Sequence, residues 1–373
     1  MLIHSPFGQL RLLFPIYQKA GLQDIKYNKV TDNISHKVLF KRLKSEKSLE
    51  FIDERAIYGK IIAITRNLRR DFRWCLPSTS KCQTPKEIFH LYRRSKIEHA
   101  HYLARVGFHI DENYKVFLRG VPDIGILPSA IRTFLDHPQP IYMPINIFEG
   151  IVSANEWLEK GLHIGVLGEK IYPLYSVWPP TNQEYLKLFD SYLQSTSVKG
   201  TAVDLGCGTG ILGFMLAKKG MSVFAVDSNF NAAKCANLNA QKLGLEFTAV
   251  HGNVKDIAIP ECNILVCNPP WLPASAGTLL DRGSYDPNEE LLCAAFMQTK
   301  KLKANGRFLL IYSDLAANIG LQNPGRIEEL CKKHELVIRN MTKLPMSLTL
   351  DKEHPLKAIR DNSSIYFYEI VRL

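Results

Sequence analysis

The sequence predicts an α/β fold for residues 161–373, and two observations indicate it. Short apolar segments alternate there with stretches at helical spacing, a pattern typical of parallel strands joined by helices. Ligands of such doubly wound sheets bind beyond the carboxyl ends of the strands. Polar residues stand at or just after four of the predicted strand ends: Asp204, Asp227, Asn253 and Asn268. We therefore expect a ligand site along one edge of the sheet.

The first of these strands, from about Val203, runs into a glycine-rich turn and then into a helix from Ile211. The glycines stand at alternate positions: Gly206, Gly208 and Gly210. They allow the backbone to turn sharply near a ligand, to which the helix offers its free N–H groups. The next strand ends at Asp227, where a carboxylate can hold both ribose hydroxyls of a nucleoside cofactor.

The spacing of the glycines distinguishes two classes of cofactor. A dinucleotide favours G-x-G-x-x-G, with its pyrophosphate on the helix N-terminus, whereas this chain has G-x-G-x-G after an aspartate. Asp204 would repel a pyrophosphate but suits a cofactor that carries an ammonium and a sulfonium group. The spacing and the aspartate therefore disfavour a nicotinamide dinucleotide.

A second motif, Asn268-Pro269-Pro270-Trp271, follows the predicted strand Cys262 to Cys267. Proline cannot continue a strand ladder, so the chain must turn there. The asparagine amide and nearby carbonyls can accept hydrogen bonds from a planar –NH2 group, and the indole can stack on a flat substrate. The alternative is a proline-rich turn whose aromatic ring covers the core.

On these two motifs the chain resembles the class I S-adenosylmethionine-dependent methyltransferases that carry an (Asn/Asp)-Pro-Pro-(aromatic) motif, over roughly residues 170 to 373. The resemblance implies a Rossmann-like sheet of seven strands whose last two, about Glu335 to Asn340 and Ser364 to Leu373, form an antiparallel hairpin at its edge. It implies S-adenosyl-L-methionine as the cofactor. The cofactor-binding residues would be Asp204, Gly206, Gly208, Gly210, Asp227, Asn253 and Val254, with Asn253 at the adenine edge.

The implied catalytic residues are Asn268, Pro269, Pro270 and Trp271. The lone pair of an amide or nucleobase nitrogen is delocalised, so this nitrogen is a poor nucleophile. We hypothesise that the Asn268 side-chain oxygen and the Pro269 carbonyl accept its two N–H hydrogens and localise the lone pair. Trp271 would fix the plane of the group.

Two segments around these motifs also resemble the family. The catalytic part is preceded by a predicted hairpin about Gly168 and by the segment Val177 to Glu184. In the family, similar segments stand at the same place and close over cofactor and substrate. Thr181 and Asn182 differ from the Arg-Pro-Glu/Asp-Thr sequence that is commoner in the family. Ser284-Tyr285-Asp286-Pro287 is similar to the Phe-Glu-Pro stretch of protein-glutamine methyltransferases that act on release factors and ribosomal proteins.

The composition of the chain predicts two domains. Its 373 residues, 46% of them hydrophobic, can bury a sizeable core. Residues 1–160 are expected to form a mainly helical substrate-recognition domain, and residues 161–373 the catalytic domain. Residues 1–105 hold 21 Lys and Arg against 9 Asp and Glu, whereas the whole chain has a net charge of +11. This basic part favours an anionic partner such as RNA, although a solvated surface explains the charge equally well.

The sequence therefore leaves the class of methyl acceptor open. Protein glutamine is slightly preferred, a nucleobase amine of RNA or DNA is the alternative, and a small-molecule amine or a non-catalytic binding module comes third. The eight cysteines form no C-x-x-C pairs, which indicates packed thiols rather than disulfides or a metal site. No apolar run approaches the roughly twenty residues of a membrane span. We expect a cytoplasmic protein.

Overall fold

The computed structural model describes residues 2–5, 8–12, 26–46, 48–74, 78–135, 137–276, 280–346 and 354–373. The chain divides into two compact units. The first consists of Met1–Lys81 and His90–Glu156, and the second of Cys82–Phe89 and Trp157–Leu373.

The described residues of the first unit contain a six-stranded mixed sheet with the order β1-β2-β6-β5-β4-β3. Its strands are β1 (Leu2–Ser5), β2 (Gly8–Leu12), β3 (Lys26–Val30), β4 (Ser48–Ile52), β5 (Val106–Ile110) and β6 (Ile141–Pro144). The described helices up to residue 160 are α1 (His36–Ser45), α2 (Tyr58–Trp74), α3 (Pro85–Ala104), α4 (Leu127–Ile131) and α5 (Ile145–Lys160). The first residues of α3 and the last of α5 belong to the second unit.

The sequence analysis anticipated these helices but not the sheet. Phe51 and Ile52, where helical structure was expected, end β4, and α2 starts at Tyr58. All five residues of β4 are buried, so the strand lacks the alternation of apolar and polar residues that identifies a half-exposed strand. The buried Glu50 of β4 accepts hydrogen bonds from Asn28 Nδ2 and Ser48 Oγ, both at 2.8 Å.

The described residues of the second unit contain the predicted seven-stranded sheet, with the order β11-β10-β9-β12-β13-β15-β14. A separate antiparallel pair, β7 (Leu162–Ile164) and β8 (Glu169–Ile171), is the hairpin expected about Gly168. The sheet strands are β9 (Thr201–Leu205), β10 (Ser222–Asp227), β11 (Phe247–His251), β12 (Cys262–Cys267), β13 (Leu302–Ser313), β14 (Leu336–Pro345) and β15 (Ser364–Arg372). Strands β9 to β13 are parallel, and the hairpin of β14 and β15 lies at the edge as the family resemblance implied.

Helices connect these strands, which confirms the doubly wound α/β fold. They are α6 (Glu184–Ser195), α7 (Ile211–Lys218), α8 (Phe230–Leu243), α9 (Glu290–Gln298), α10 (Leu315–Ile319), α11 (Arg326–Lys333) and α12 (Lys357–Asp361). Successive residues of the central strands pack into different core clusters: Ala202 and Ile264 lie in one, and Val203 and Leu265 in the other. The sheet is therefore buried on both faces, and its polar residues are confined to the strand ends.

Three further expectations can be compared with the described residues. The seven cysteines among them are free thiols, and Cys75 lies outside the described residues. Within the same part of the chain no group of three or more His, Cys, Asp or Glu side chains could hold a metal ion. None of the described helices has both the length and the apolar character that a membrane crossing requires.

Candidate active site

A cavity of about 550 Å³ opens at the carboxyl ends of β9, β10 and β12 in the second unit. This volume lies within the usual range for small-molecule sites. Eight of the eleven residues that the sequence predicted for the site line it: Asp204, Gly206, Gly208, Asp227, Asn253, Val254, Asn268 and Pro270. Gly210, Pro269 and Trp271 are not among the described lining residues.

The glycines between β9 and α7 have different roles. Gly208 has a φ of 54°, and a Cβ added to it would meet nothing within 4 Å. Gly210 has a φ of 90° and begins α7, but its Cβ would lie 2.5 Å from Cζ of Phe214. Gly208 therefore leaves open space at the cavity wall, whereas Gly210 allows close packing of the helix against its own turn.

Asp227 at the end of β10 holds the glycine turn in place. Its Oδ2 accepts a hydrogen bond from the Gly208 N–H at 2.9 Å, and its Oδ1 accepts one from the Asn229 N–H at 2.8 Å. Burial raises the pKa of the Asp227 carboxyl, and the two N–H groups oppose that rise. Each oxygen has a further lone pair, so the carboxylate can still accept two hydroxyl hydrogen bonds.

Asp204, near the end of β9, is only 1% exposed. Its Oδ2 accepts a hydrogen bond from the Gly213 N–H at 2.9 Å. Burial raises the pKa of the Asp204 carboxyl to about 7; the charge of Asp227 adds to the rise, and the Gly213 N–H opposes it. The buried carboxylate of Asp204 and the partly buried carboxylate of Asp227, at one cavity wall, would be stabilised by a bound cation.

Asn253 and Val254 follow β11 in a tight turn. The exposed Asn253 side chain accepts a hydrogen bond through Oδ1 from the Lys255 N–H at 2.9 Å. Val254 is buried, and its carbonyl accepts a hydrogen bond from Gln298 Nε2 at 2.7 Å. The turn is thus held by one hydrogen bond within it and by one from Gln298, and both residues lie at the cavity wall.

The Asn268–Trp271 turn differs from the sequence-based expectation in one respect. The indole Nε1–H of Trp271 donates a hydrogen bond to Asn268 Oδ1 at 3.1 Å, and its ring packs against both core clusters of the sheet. A partly buried indole N–H still favours an acceptor, which the asparagine supplies. Asn268 faces the cavity with a fixed amide, whereas Trp271 supports it from the core.

The acidic character of the cavity was not anticipated from the sequence. Asp286 and Glu290 also line it, and Arg282 is the cationic side chain among its described lining residues. Asp286 has a structural role as well, because its two carboxylate oxygens accept the N–H groups of Leu291 and Leu292, both at 3.0 Å. Sequence reasoning had singled out the segment that contains Asp286, but its spacing alone did not reveal the contacts.

Comparison with known proteins bears directly on this unit. Residues 186–340 match the family model described as Methyltransferase small domain. This part of the chain is a methyltransferase domain. S-adenosylmethionine is the methyl donor of the domain.

Curated relatives match this chain over shorter stretches. A ribosomal protein L11 methyltransferase of Campylobacter hominis is 39% identical over 72 residues, which is 19% of this chain and 23% of that protein. The protein of the same name from Alkaliphilus metalliredigens is 27% identical over 130 residues, 34% of this chain and 41% of that protein. The chain thus spans between about a quarter and two fifths of the length of these relatives.

Among solved structures, the ribosomal protein L11 methylase from Lactobacillus delbrueckii subsp. bulgaricus is 18% identical. The match covers 51% of this chain and 79% of that one, with a TM-score of 0.36.

The residues of the methyltransferase domain fit its donor. The cavity is large enough for a nucleoside with an amino-acid tail, and the space before Gly208 is open. The carboxylates of Asp204 and Asp227 suit the positive charges of a sulfonium and an ammonium group. Asp227 can in addition bind ribose hydroxyls.

Proposed function

We propose that this chain is an S-adenosylmethionine-dependent N-methyltransferase that acts on a planar amide or amine nitrogen, with a protein glutamine as the preferred acceptor. The observation that carries the proposal is the hydrogen bond from Trp271 to Asn268 at the cavity edge. It holds a side-chain amide in one orientation beside the cofactor residues. An oriented hydrogen-bond acceptor is what a weakly nucleophilic –NH2 group needs.

Different residues of the cavity bind the cofactor and orient the acceptor. Asp204, Gly206, Gly208, Asp227, Asn253 and Val254 hold the cofactor, with Gly210 beginning the helix behind them. When bound, S-adenosylmethionine supplies a methyl group on a positively charged sulfur, already activated toward a nucleophile. Asn268 Oδ1 and the Pro269 carbonyl accept the N–H hydrogens of the acceptor and orient its nitrogen.

Asn268 orients the acceptor but is no general base. Its Oδ1 keeps one lone pair for the acceptor while the other accepts the Trp271 indole N–H. An amide oxygen does not take up a proton near neutral pH. The proton that the nitrogen loses therefore leaves to solvent, and Pro270 keeps the turn rigid at the wall.

Two observations support a protein acceptor. The curated relatives reported above are named for methylation of a ribosomal protein. The cavity wall is acidic, with Asp204, Asp227 and Asp286 on it, and it would repel a phosphate group near the acceptor. A neutral side-chain amide carries no such penalty. An acceptor on ribosomal proteins or release factors would also be met in the cytoplasm, where we propose that the protein acts.

A nucleobase amine is the second candidate, and the helices of the first unit favour it. Helix α1 has no acidic residue and exposes Lys37, Lys41 and Lys44, while α2 exposes Arg66 and Arg70. Basic side chains on neighbouring helices can bind a phosphate backbone, because α1 and α2 pack together through the rings of Phe40 and Phe72. In this case the first unit would hold RNA.

One labelling experiment separates these candidates. The full-length protein is incubated with tritiated S-adenosylmethionine and ribosomes from cells that lack its gene, and the product is treated separately with nuclease and protease. Label removed by protease alone, and found on glutamine after hydrolysis, supports the proposal. Label removed by nuclease alone replaces it with the nucleobase candidate, and label in neither fraction points to a small molecule or a non-catalytic module.

The role of the basic helices is tested by charge reversal in the whole protein. Replacing Arg66 and Arg70 of α2 by Glu should weaken binding to total ribosomal RNA and reduce its dependence on salt if that surface binds phosphates. The matched control reverses the exposed Lys332 and Lys333 of α11, which changes the net charge equally. Equal affinity of both variants for RNA would mean that the basic residues of these helices are a solvated surface and do not bind phosphates.

A further inference from the structure

Trp178 is an aromatic residue of the cavity wall within the segment Val177 to Glu184, for which the family resemblance implied closure over cofactor and substrate without a role for this side chain. Its side chain lines the cavity and is nevertheless 48% exposed. Trp271, from which a stacking surface was expected, packs instead against the core and donates to Asn268. A half-exposed indole at the mouth of a ligand cavity offers a flat apolar surface that a bound group can cover.

The segment before Trp178 is firmly attached to α8. Asn229 Nδ2 donates a hydrogen bond to the Ser176 carbonyl at 2.9 Å, and Asn231 Nδ2 donates one to Ser176 Oγ at 3.2 Å. Val177 is buried in a small cluster with Ala232 of the same helix. Because Ser176 and Val177 are held against α8 in this way, Trp178 directly follows a fixed stretch of backbone.

Trp178 also contacts Gly283, in the loop between the Asn268–Trp271 turn and α9. A Cβ added to Gly283 would lie 2.8 Å from Cβ of Trp178, so the backbone at Gly283 lies directly against the base of the indole side chain. Residues near Gly283 are tied to the chain after the Asn268–Trp271 turn, because the Asp286 N–H donates to the Leu272 carbonyl at 2.9 Å. Trp178 and Asn268 line the same cavity. The loop that contains Gly283, beside Trp178, is hydrogen-bonded to the chain that follows the turn of Asn268.

We propose that Trp178 is a specificity-determining residue whose indole forms the wall on which the planar acceptor group stacks. Asn268 then orients the N–H hydrogens in the plane of the group, and Trp178 covers its face. The inference rests on the proposed function for the nature of the acceptor. It assigns to Trp178 the stacking expected of Trp271, whose partly buried ring packs against the core and is not among the described lining residues.

The first experiment measures binding and needs no turnover. Full-length protein saturated with S-adenosylhomocysteine is titrated with benzamide, a small flat carboxamide, and the dissociation constant is read by ligand-observed NMR. We expect Trp178→Ala to bind benzamide on the order of tenfold more weakly than the unchanged protein, and Trp178→Phe to keep most of the affinity. Phe230→Ala is the matched control, since Phe230 is 61% exposed and is not among the described lining residues.

The proposal is overturned if Trp178→Ala binds benzamide within twofold of the unchanged protein, if Phe230→Ala weakens it equally, or if benzamide does not saturate any of the proteins. Thermal unfolding of each variant shows whether an altered affinity reflects a damaged fold. The Phe variant separates a role of the aromatic face from a role in packing.

The second experiment measures turnover on the acceptor identified with ribosomes. Trp178→Ala should raise the acceptor KM about tenfold and leave the dissociation constant of S-adenosylhomocysteine within twofold. A changed cofactor constant with an unchanged acceptor KM would assign the indole to the cofactor and overturn the proposal. If the unchanged protein methylates nothing, the proposed function fails, while the benzamide titration still decides the role of Trp178.

Discussion

The cofactor half and the acceptor half of the cavity are built by different means. In the cofactor half, Asp204 and Asp227 are fixed by backbone N–H groups of Gly213, Gly208 and Asn229. In the acceptor half, a side-chain amide is fixed by an indole, and the neighbouring loop contains short 3-10 turns rather than regular helix. Local backbone geometry thus defines the proposed donor site, whereas tertiary side-chain contacts define the proposed acceptor site.

The largest effect that tests this difference is expected at Asn268. Asn268→Ala should lower turnover on the order of a hundredfold or more, because it removes an oriented acceptor that acts on the reacting group. The dissociation constant of S-adenosylhomocysteine, measured by calorimetry, should stay within twofold since the cofactor half is intact. Unchanged turnover would exclude the role of Asn268, and lost cofactor binding would mean that the two halves are not separable.

Trp271→Phe should have a smaller effect on the same half. The substitution keeps an aromatic ring in the core and removes the indole N–H that bonds Asn268 Oδ1. Loss of one hydrogen bond of about 1 kcal/mol predicts a fall in turnover of several-fold to about tenfold. Trp157→Phe, outside the described cavity lining, is the control. Equal turnover of the two variants would contradict a positioning role for Trp271.

The two glycines of the cofactor half should respond differently to a methyl group. Gly208→Ala should weaken cofactor binding about fivefold and cost about 1–2 kcal/mol of stability, because the added methyl enters open space with a φ of 54°. Gly210→Ala should lower the melting temperature further, since its Cβ would lie 2.5 Å from Phe214. Calorimetry and thermal unfolding measure both. The reverse order of stability would refute this assignment.

The smallest predicted effect is the dependence of cofactor affinity on pH. Burial raises the pKa of Asp204 to about 7, and a positively charged cofactor binds the ionised form. Cofactor affinity should therefore rise about threefold from pH 6.5 to pH 7.5, a dependence that Asp204→Asn should abolish. A flat affinity profile would contradict the prediction.

The stability of the protein without cofactor should change with pH in the opposite direction. Because the pKa of Asp204 in the folded state lies above the unfolded value of 3.8, the free energy of unfolding should fall as pH rises from about 4 to about 7.

The strand ends and turns around the cavity could be predicted from the sequence because their signals are local. The strand Cys262–Cys267 has the predicted bounds, since the prolines after Asn268 end it, and the loop glycines lie where their spacing indicated. The Trp271–Asn268 hydrogen bond and the exposure of Trp178 depend on the packing around them, which no spacing encodes. The six-stranded sheet was missed because strands such as β4 are short and buried throughout.

Helix α9 has a consequence for redesigning the acceptor loop. Its first turn is capped by Asp286, and Leu291 in that turn occupies the space that a Cβ at Gly206 would need, at 2.6 Å. A library randomised at residues 280–285 can therefore explore new acceptors without disturbing donor binding, provided that Asp286 and Leu291 are left unchanged. Selection from a library that includes those two positions should return the parental pair in most functional clones.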